Sequence, residues 1–185
     1  MNTPLTAAVV VGNPKRESRT AAVGTAVAEA VLARVGAPDG FAVEVVELAD
    51  LSGGLFGWGD PAVAQAKELV KAAQLLVVAS PVYKASITGL LKAFLDHFGR
   101  DELAAVATVP LMVGAAPIHA LAVEHQLRPV LIEIGASCPT RGLFVLEKEI
   151  DQLDALLEQW LGVWGSALTS VVRTRAEVSG SENAR

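Results

Sequence analysis

Short apolar runs rich in valine and leucine alternate with stretches of helical periodicity along this chain, and this alternation is the strongest constraint on its fold. Almost continuous apolar runs occur at Leu5–Val11, Leu75–Ala79 and Val106–Val113. Such runs predict strands that are buried on both faces, as in a parallel sheet covered by helices. Phe41–Leu48, which alternates, and the short run Gly142–Leu146 predict two further strands.

Helical patterns fill the intervals between these strands. The predicted helices are Ser18–Arg34, a helix that begins at Pro61, Thr88–Phe98, Ile118–Ile132 and Glu149–Val172. Pro129 is expected to bend or end the fourth helix, because proline has no N–H to donate. The glycine-rich segment Asp50–Pro61 is predicted to be a long loop. Strands that alternate with helices predict an α/β fold with a doubly wound parallel sheet.

The chain has 185 residues, of which 52% are hydrophobic and 19% are charged. This size and composition suit one globular domain with a substantial core. Residues 1–172 are predicted to form that domain, and the polar segment 173–185 is predicted to be a frayed tail.

Charge and chain start restrict the expected partners and location. The formal net charge is −5, whereas a nucleic-acid partner would favour a basic face, so none is expected. No apolar run approaches the about 20 residues that span a membrane. Met1–Pro4 lacks the basic start of a secretory signal. We therefore expect a cytoplasmic protein that makes no membrane contact.

Cysteine and histidine positions argue against metal chemistry. The single cysteine, Cys138, excludes an intrachain disulfide and a zinc site built from several cysteines. His119 and His125 are six residues apart and point to different sides of a helix, so no metal site is predicted. Glu124 and Arg128, four residues apart, are interpreted as a helix pair worth roughly a few tenths of a kcal/mol.

Ligands of a doubly wound sheet bind beyond the carboxyl ends of its strands, so the loops after strands one, three and four are the places to search. The first, Gly12–Thr20, joins a buried strand to a helix start and carries hydroxyls, an amide and cations. A helix N-terminus offers free N–H groups and a positive dipole end to a phosphate. The alternative interpretation is an ordinary helix cap beside a solvated basic loop. Neither the Walker phosphate-loop motif nor a dinucleotide Gly-x-Gly-x-x-Gly occurs here.

The second loop, Ser80–Gly89, follows the third predicted strand and contains the only tyrosine of the chain, Tyr83. This side chain is able to stack on a planar ring, although a tyrosine in such a place more often packs on its neighbours. The serines of this loop lack the Gly-x-Ser-x-Gly context of a hydrolase.

The string SPVYKAS at Ser80–Ser86, followed by GLLKAFLD at Gly89–Asp96, closely resembles the flavin loop and the next helix of NADPH-dependent FMN reductases. The nearest resemblance is to reductases that supply reduced flavin to alkanesulfonate and methanesulfonate monooxygenases. Gly12–Thr20 looks like the phosphate loop of that family, and His119–Val130 looks like its fourth helix. The resemblance covers roughly residues 5 to 146.

The resemblance implies a flavodoxin-like five-stranded sheet of order 2-1-3-4-5 and an NAD(P)H:FMN oxidoreductase with FMN and NADPH, or NADH, as cofactors. It implies that the flavin carries the chemistry, so that no side chain need be catalytic. The FMN-binding residues that it implies lie in three loops: Asn13, Ser18, Arg19 and Thr20 for the phosphate, with Arg16 adding charge; Pro81, Val82, Tyr83, Lys84 and Ser86 for the ribityl chain and ring; and Gly114 and Ala115 at the flavin edge.

Three positions depart from the pattern that this sequence resembles. Asn13 stands where the family commonly has serine, and an amide is still able to donate to phosphate. Ala115 replaces the second glycine after strand four, where its methyl group would crowd the ring edge. His125 stands where the alkanesulfonate branch has a tyrosine associated with a π-bulge and tetramer packing, so the oligomer switching of that branch is not carried over.

The favoured function is the reduction of FMN by NAD(P)H for a flavin-dependent monooxygenase. The alternatives are a quinone, azo or chromate reductase with bound FMN, and a flavodoxin-like electron carrier that is not an enzyme. Lys15, Arg16 and Lys84 are candidates for the phosphate of NADPH. Surplus apolar residues on the last helix predict a homodimer or homotetramer.

Overall fold

The computed structural model describes residues 5–36, 40–104 and 106–182. Residues 1–4, on which the prediction of no secretory signal rests, and residues 183–185 of the predicted tail lie outside the range of described residues. Within it, five parallel strands form one sheet of order β2-β1-β3-β4-β5, which confirms the predicted flavodoxin-like architecture. The strands are β1 Leu5–Val11, β2 Phe41–Glu47, β3 Leu75–Pro81, β4 Ala107–Gly114 and β5 Leu143–Leu146.

The central strands are buried on both faces, as their unbroken apolar sequences predicted. Every residue of β3 and of β4 is buried. One apolar cluster lies on the face covered by the helices that follow β2, β3 and β4, and a second lies on the face covered by the first and last helices. This double cover explains why valine and leucine run through these strands without polar alternation.

Helices with side-chain caps begin at the carboxyl edge of the sheet. Helix α1, Arg19–Val35, is capped by Ser18 and ends at Gly36, which has a φ of 72°. After α2, Leu48–Leu51, comes α3, Pro61–Ala72, whose first N–H groups are capped by the Asp60 side chain. Helix α4, Gly89–Leu95, is capped by Thr88 and is shorter than predicted. The predicted loop Asp50–Pro61 thus starts inside a helical turn and continues as turns to Asp60.

The fourth predicted helix is built from three kinds of turn. A 3₁₀ turn at Pro117–His119 leads to a π-helix at Val123–Leu127 and then to α5, Arg128–Glu133. Pro129 does not end this helix but lies in its last segment. A proline ring crowds the carbonyl four residues earlier, and the wider π turn directly before it is where the helix accommodates this conflict.

The last helix is longer than predicted. A 3₁₀ turn at Glu147–Gln152 leads to α6, Leu153–Glu182, which continues through most of the segment predicted as a frayed tail. Arg173 donates to the carbonyl of Val35 at 2.7 Å, and Arg175 donates to that of Lys71 at 3.3 Å. These bonds attach the polar end of the helix to the domain. Among the described residues, no helix combines the length and the hydropathy needed to cross a membrane.

Candidate functional site

The loops after β1, β3 and β4 meet at the carboxyl edge of the sheet and are tied together by hydrogen bonds. The Gly12 N–H donates to the carbonyl of Ala79 at 2.7 Å, and the Thr88 hydroxyl donates to the carbonyl of Gly12 at 2.6 Å. The Val82 N–H donates to the carbonyl of Val113 at 2.8 Å. β1 and β3 are adjacent, and the chain leaves them in opposite directions along the sheet. This edge is therefore the switch point at which ligands of such sheets bind.

The loop after β1 forms a seat of hydroxyl and amide groups at the start of α1. The buried Ser18 side chain accepts the Ala21 N–H at 3.2 Å, and the buried Thr20 hydroxyl accepts the Asn13 side-chain amide at 3.1 Å. The Asn13 side-chain oxygen in turn accepts the Lys15 N–H at 2.9 Å. The first turn of α1 contains no acidic residue. This donor set fits a phosphate group, because free helix N–H groups and hydroxyls face it without a carboxylate in the same turn.

Both arginines predicted at this seat are engaged with carboxylates. Arg16 Nε lies 3.1 Å from Asp50 Oδ1, and Arg19 Nη2 lies 2.9 Å from Glu147 Oε2. A further carboxylate, that of Glu47, accepts the Glu17 N–H at 3.1 Å. The sequence predicted the cations but not these partners, which come from the ends of β2 and β5. The charge of the seat is consequently much closer to neutral than its two arginines suggest.

The loop after β3 contains a tight hairpin. Tyr83 and Ser86 exchange both backbone hydrogen bonds at 3.0 Å, and the two residues between them have positive φ values, 52° for Lys84 and 61° for Ala85. Two-residue turns of this kind normally use asparagine and glycine, because a Cβ atom is disfavoured at positive φ. Residues held in such conformations concentrate at functional sites.

The hairpin presents its side chains to solvent beside the space between the three loops at the carboxyl edge of the sheet, which we call the crevice. Tyr83 is 50% exposed, and Lys84 and Ala85 are exposed as well. The Ser86 hydroxyl donates to the Gln126 side chain at 3.3 Å, which connects the hairpin to the π-helix. A planar ring on this hairpin would therefore lie at the protein surface and not in a closed cavity.

The third loop begins at Gly114, the last residue of β4. A Cβ atom at Gly114 would lie 2.8 Å from Phe144 Cζ and 3.3 Å from Val82 Cγ2, so the backbone packs closely against both side chains. Ala115 is exposed, and its methyl group does not displace the strand end. The predicted crowding by Ala115 therefore concerns a bound ring and not the fold of the loop.

Glu124 and Arg128 form the predicted i,i+4 helix pair and make further bonds beyond it. Arg128 Nε lies 2.7 Å from Glu124 Oε2, Arg128 also donates to the carbonyls of Cys138 and Thr140, and Glu124 accepts the Gly142 N–H at 2.6 Å. Each side chain is less than a quarter exposed. The pair therefore holds the segment that leads into β5, and we call it the edge clamp.

Burial and charge set the acidity of two groups at this clamp. Burial raises the pKa of Glu124, but the Arg128 guanidinium and the Gly142 N–H outweigh it and hold that pKa below its ordinary value of 4.5. Burial raises the pKa of the Cys138 thiol to about 11, so this thiol is protonated at neutral pH and not a nucleophile.

The twelve predicted site residues all lie in the three loops that the structure brings together or in the strand ends and helix start that adjoin them; they are Asn13, Arg16, Ser18, Arg19, Thr20, Pro81, Val82, Tyr83, Lys84, Ser86, Gly114 and Ala115. Sequence reasoning missed Thr88 and Gln126, which bond to the first loop and to the hairpin, and the carboxylates of Asp50 and Glu147. A signal for Thr88 was available, since a threonine at a helix start is a common cap. The other contacts join distant parts of the chain and left no local signal.

The sheet order and the position of this crevice define a flavodoxin-like protein with its candidate site at the switch point. The model of the NADPH-dependent FMN reductase family matches residues 5–151, and the chain belongs to this family. Membership confirms the predicted enzyme class, an NAD(P)H-dependent FMN oxidoreductase, and the predicted use of FMN and NAD(P)H.

Individual relatives agree with this assignment. The chain is 34% identical to the NADH-dependent FMN reductase SfnE of Pseudomonas putida, with 81% of each chain covered, and 36% identical to SfnF of the same organism, with 82% of this chain and 83% of the relative covered. An FMN reductase (NADPH) of Pseudomonas aeruginosa is 31% identical, with 82% of each chain covered. The apo crystal structure of the NADH:FMN oxidoreductase EmoB matches with a TM-score of 0.75 at 29% identity, covering 92% of this chain and 89% of that one.

Proposed function

We propose that this enzyme uses FMN as a dissociable substrate and supplies reduced flavin to a flavin-dependent monooxygenase in the cytoplasm. The observation that carries the proposal is the open crevice, in which Tyr83 and its hairpin neighbours are exposed. A ring seated there keeps one face accessible to a nicotinamide and retains a path for leaving the protein. The names of the relatives SfnE and SfnF, as NADH-dependent FMN reductases, support flavin reduction as their activity.

In this proposal the protein binds and orients, and the flavin provides the redox centre. Bound FMN would supply the redox chemistry, with the hydride coming from NAD(P)H and a proton from solvent. Ser18, Thr20 and Asn13 hold the phosphate, while Tyr83 and the hairpin backbone support the ring. Gly114 lets the strand end pack against Phe144 and Val82, next to the place proposed for the ring edge. The described side chains at the crevice need not exchange a proton with the nicotinamide.

The test uses protein stripped of flavin, with NADH or NADPH as reductant in air. We expect coenzyme oxidation that saturates with added FMN. After anaerobic reduction and desalting, we expect the reduced flavin to separate from the protein. Tight FMN binding without turnover would instead favour the electron carrier. Turnover with reduced flavin that stays on the protein would favour the quinone, azo or chromate reductase.

A homodimer or homotetramer is part of the proposal. The apolar side chains of Ile118, Leu121 and Ile132 are exposed in the segment that runs from the 3₁₀ turn to α5, and a subunit interface would bury them. Exposed Val163 on α6 adds to this apolar surface. Sedimentation velocity of the flavin-free and the FMN-loaded protein measures the oligomeric state directly. A monomer in both states would refute the proposed homodimer or homotetramer.

A further inference from the structure

We propose that Asp50 and Glu147 weaken FMN binding by engaging the two arginines of the phosphate seat, so that the flavin is released after reduction. The proposal rests on the proposed function, since release matters only if the flavin leaves as product. It assigns a role to two carboxylates that belong to neither the flavin loop nor the phosphate loop.

The geometry places one carboxylate on each arginine. Asp50 lies in α2, directly after β2, and Glu147 opens the 3₁₀ turn directly after β5. Their oxygens lie 3.1 Å from Arg16 Nε and 2.9 Å from Arg19 Nη2. Both contacts bridge long stretches of chain and converge on the same loop and helix start. The arginine of each pair is more exposed than its carboxylate, so the guanidinium is the partner that a ligand reaches more easily.

Charge determines the consequence of this pairing. An arginine that meets a phosphate alone offers a charge-assisted, often bidentate bond. An arginine that remains paired brings a negative charge with it, and an arginine that leaves its partner exposes that carboxylate to the phosphate dianion. In both cases part of the attraction is lost. The seat then relies on the neutral donors of Ser18, Thr20, Asn13 and the α1 backbone, each of which contributes modestly.

The test measures FMN affinity by the quenching of flavin fluorescence on flavin-stripped protein. Asp50→Asn and Glu147→Gln are each expected to tighten FMN binding about twofold to fivefold, the range that exposed ion pairs span, and the double variant is expected to tighten it about tenfold. The gain should shrink in high salt, because exposed charges are screened. Glu149→Gln is the matched control, as it removes a carboxylate from the same 3₁₀ turn without touching either arginine pair.

Riboflavin, which lacks the phosphate, separates this effect from a change in loop structure. Its affinity should be the same in wild type and both variants. Adding Arg19→Met to Glu147→Gln should abolish the gain for FMN. Unchanged or weaker FMN binding in both variants, or an equal gain for riboflavin, would overturn the proposal. If the wild-type enzyme fails to reduce free FMN, the proposed function is refuted instead. The affinities of wild type and variants for FMN and riboflavin are still measurable in that case.

Discussion

The edge clamp offers a direct test of what the structure adds to the sequence. As a surface i,i+4 helix pair, Glu124 and Arg128 would be worth roughly a few tenths of a kcal/mol. The structure shows Arg128 bonded to a carboxylate and to two backbone carbonyls, with both side chains less than a quarter exposed. Replacing Arg128 with methionine keeps most of the side-chain volume but leaves Glu124 without its counterion and two carbonyls without their donor.

The expected cost follows from the burial of these groups. Removing one partner of a fully buried pair destabilises a protein by about 3–5 kcal/mol, whereas exposed pairs contribute at most about 1 kcal/mol. Because a fifth of each side chain is exposed, we expect Arg128→Met to lower the free energy of unfolding by about 2–4 kcal/mol. For a chain of this length that corresponds to a Tm lower by roughly 5–15 °C.

The assay is urea unfolding followed by circular dichroism, with Lys92→Met as the matched control. Lys92 and Asp96 form another i,i+4 pair, 2.5 Å apart, but about half of each side chain is exposed. We expect the control to lose less than about 0.5 kcal/mol. Adding Glu124→Gln to Arg128→Met should recover part of the loss, because no unpaired charge then remains. If Arg128→Met costs no more than Lys92→Met, the clamp is an ordinary surface pair and the reasoning is wrong.

The acid dependence of stability supplies an independent check of the clamp. The pKa of Glu124 is lowered in the folded state, so its ionised form stabilises the fold above its ordinary value of 4.5. This contribution is lost as the pH falls through the lower, folded-state pKa. Glu124→Gln should therefore flatten the fall in stability below about pH 4.5. A profile identical to that of the wild type would contradict the assigned charge pairing.

Three further predictions concern the crevice and the thiol. Gly114→Ala should destabilise the fold by about 1–3 kcal/mol and weaken FMN binding, because the new methyl group meets Phe144 and Val82. Gly89→Ala is the control and should have neither effect, since the space around its Cβ is open. Urea unfolding measures the stability and flavin fluorescence the binding, and equal behaviour of the two variants would refute the packing argument. Ala85→Gly should raise stability by up to about 1 kcal/mol, because relief of its positive φ outweighs the unfolded-state freedom that glycine adds; a loss of stability in urea unfolding would contradict this balance. Cys138 should resist iodoacetamide at pH 8 until the protein is unfolded, because its pKa is raised to about 11; rapid labelling of the native protein, read by mass spectrometry, would contradict this.

The sheet and the positions of the site loops followed from sequence because they depend on local patterns. Unbroken apolar runs predict buried strands such as Leu75–Pro81, and the predicted flavin loop comes directly after this strand. Helix starts were recognisable at Ser18 and Pro61 from cap chemistry. Once the strand order is known, the convergence of the loops after β1, β3 and β4 is a matter of topology.

The features that escaped the sequence depend on contacts between distant residues. Arg19 and Glu147 are 128 positions apart, so nothing near Arg19 indicated that its charge is balanced. The length of α6 was underestimated for a similar reason, since the polar residues Arg173 and Arg175 find carbonyl partners on α1 and α3. A polar segment looks like a tail in sequence until the groups that it bonds are known.

The π-helix connects these long-range contacts to the candidate site. Its five residues include Glu124, which accepts the Gly142 N–H before β5, and Gln126, which accepts the Ser86 hydroxyl of the hairpin. Residues two apart point in widely different directions on a helix, so one short segment contacts both the edge of the sheet and the hairpin after β3. His125 lies between them and is exposed. The π-helix therefore bonds both to the hairpin and to the segment before β5, so we expect a change in its register to alter the two together.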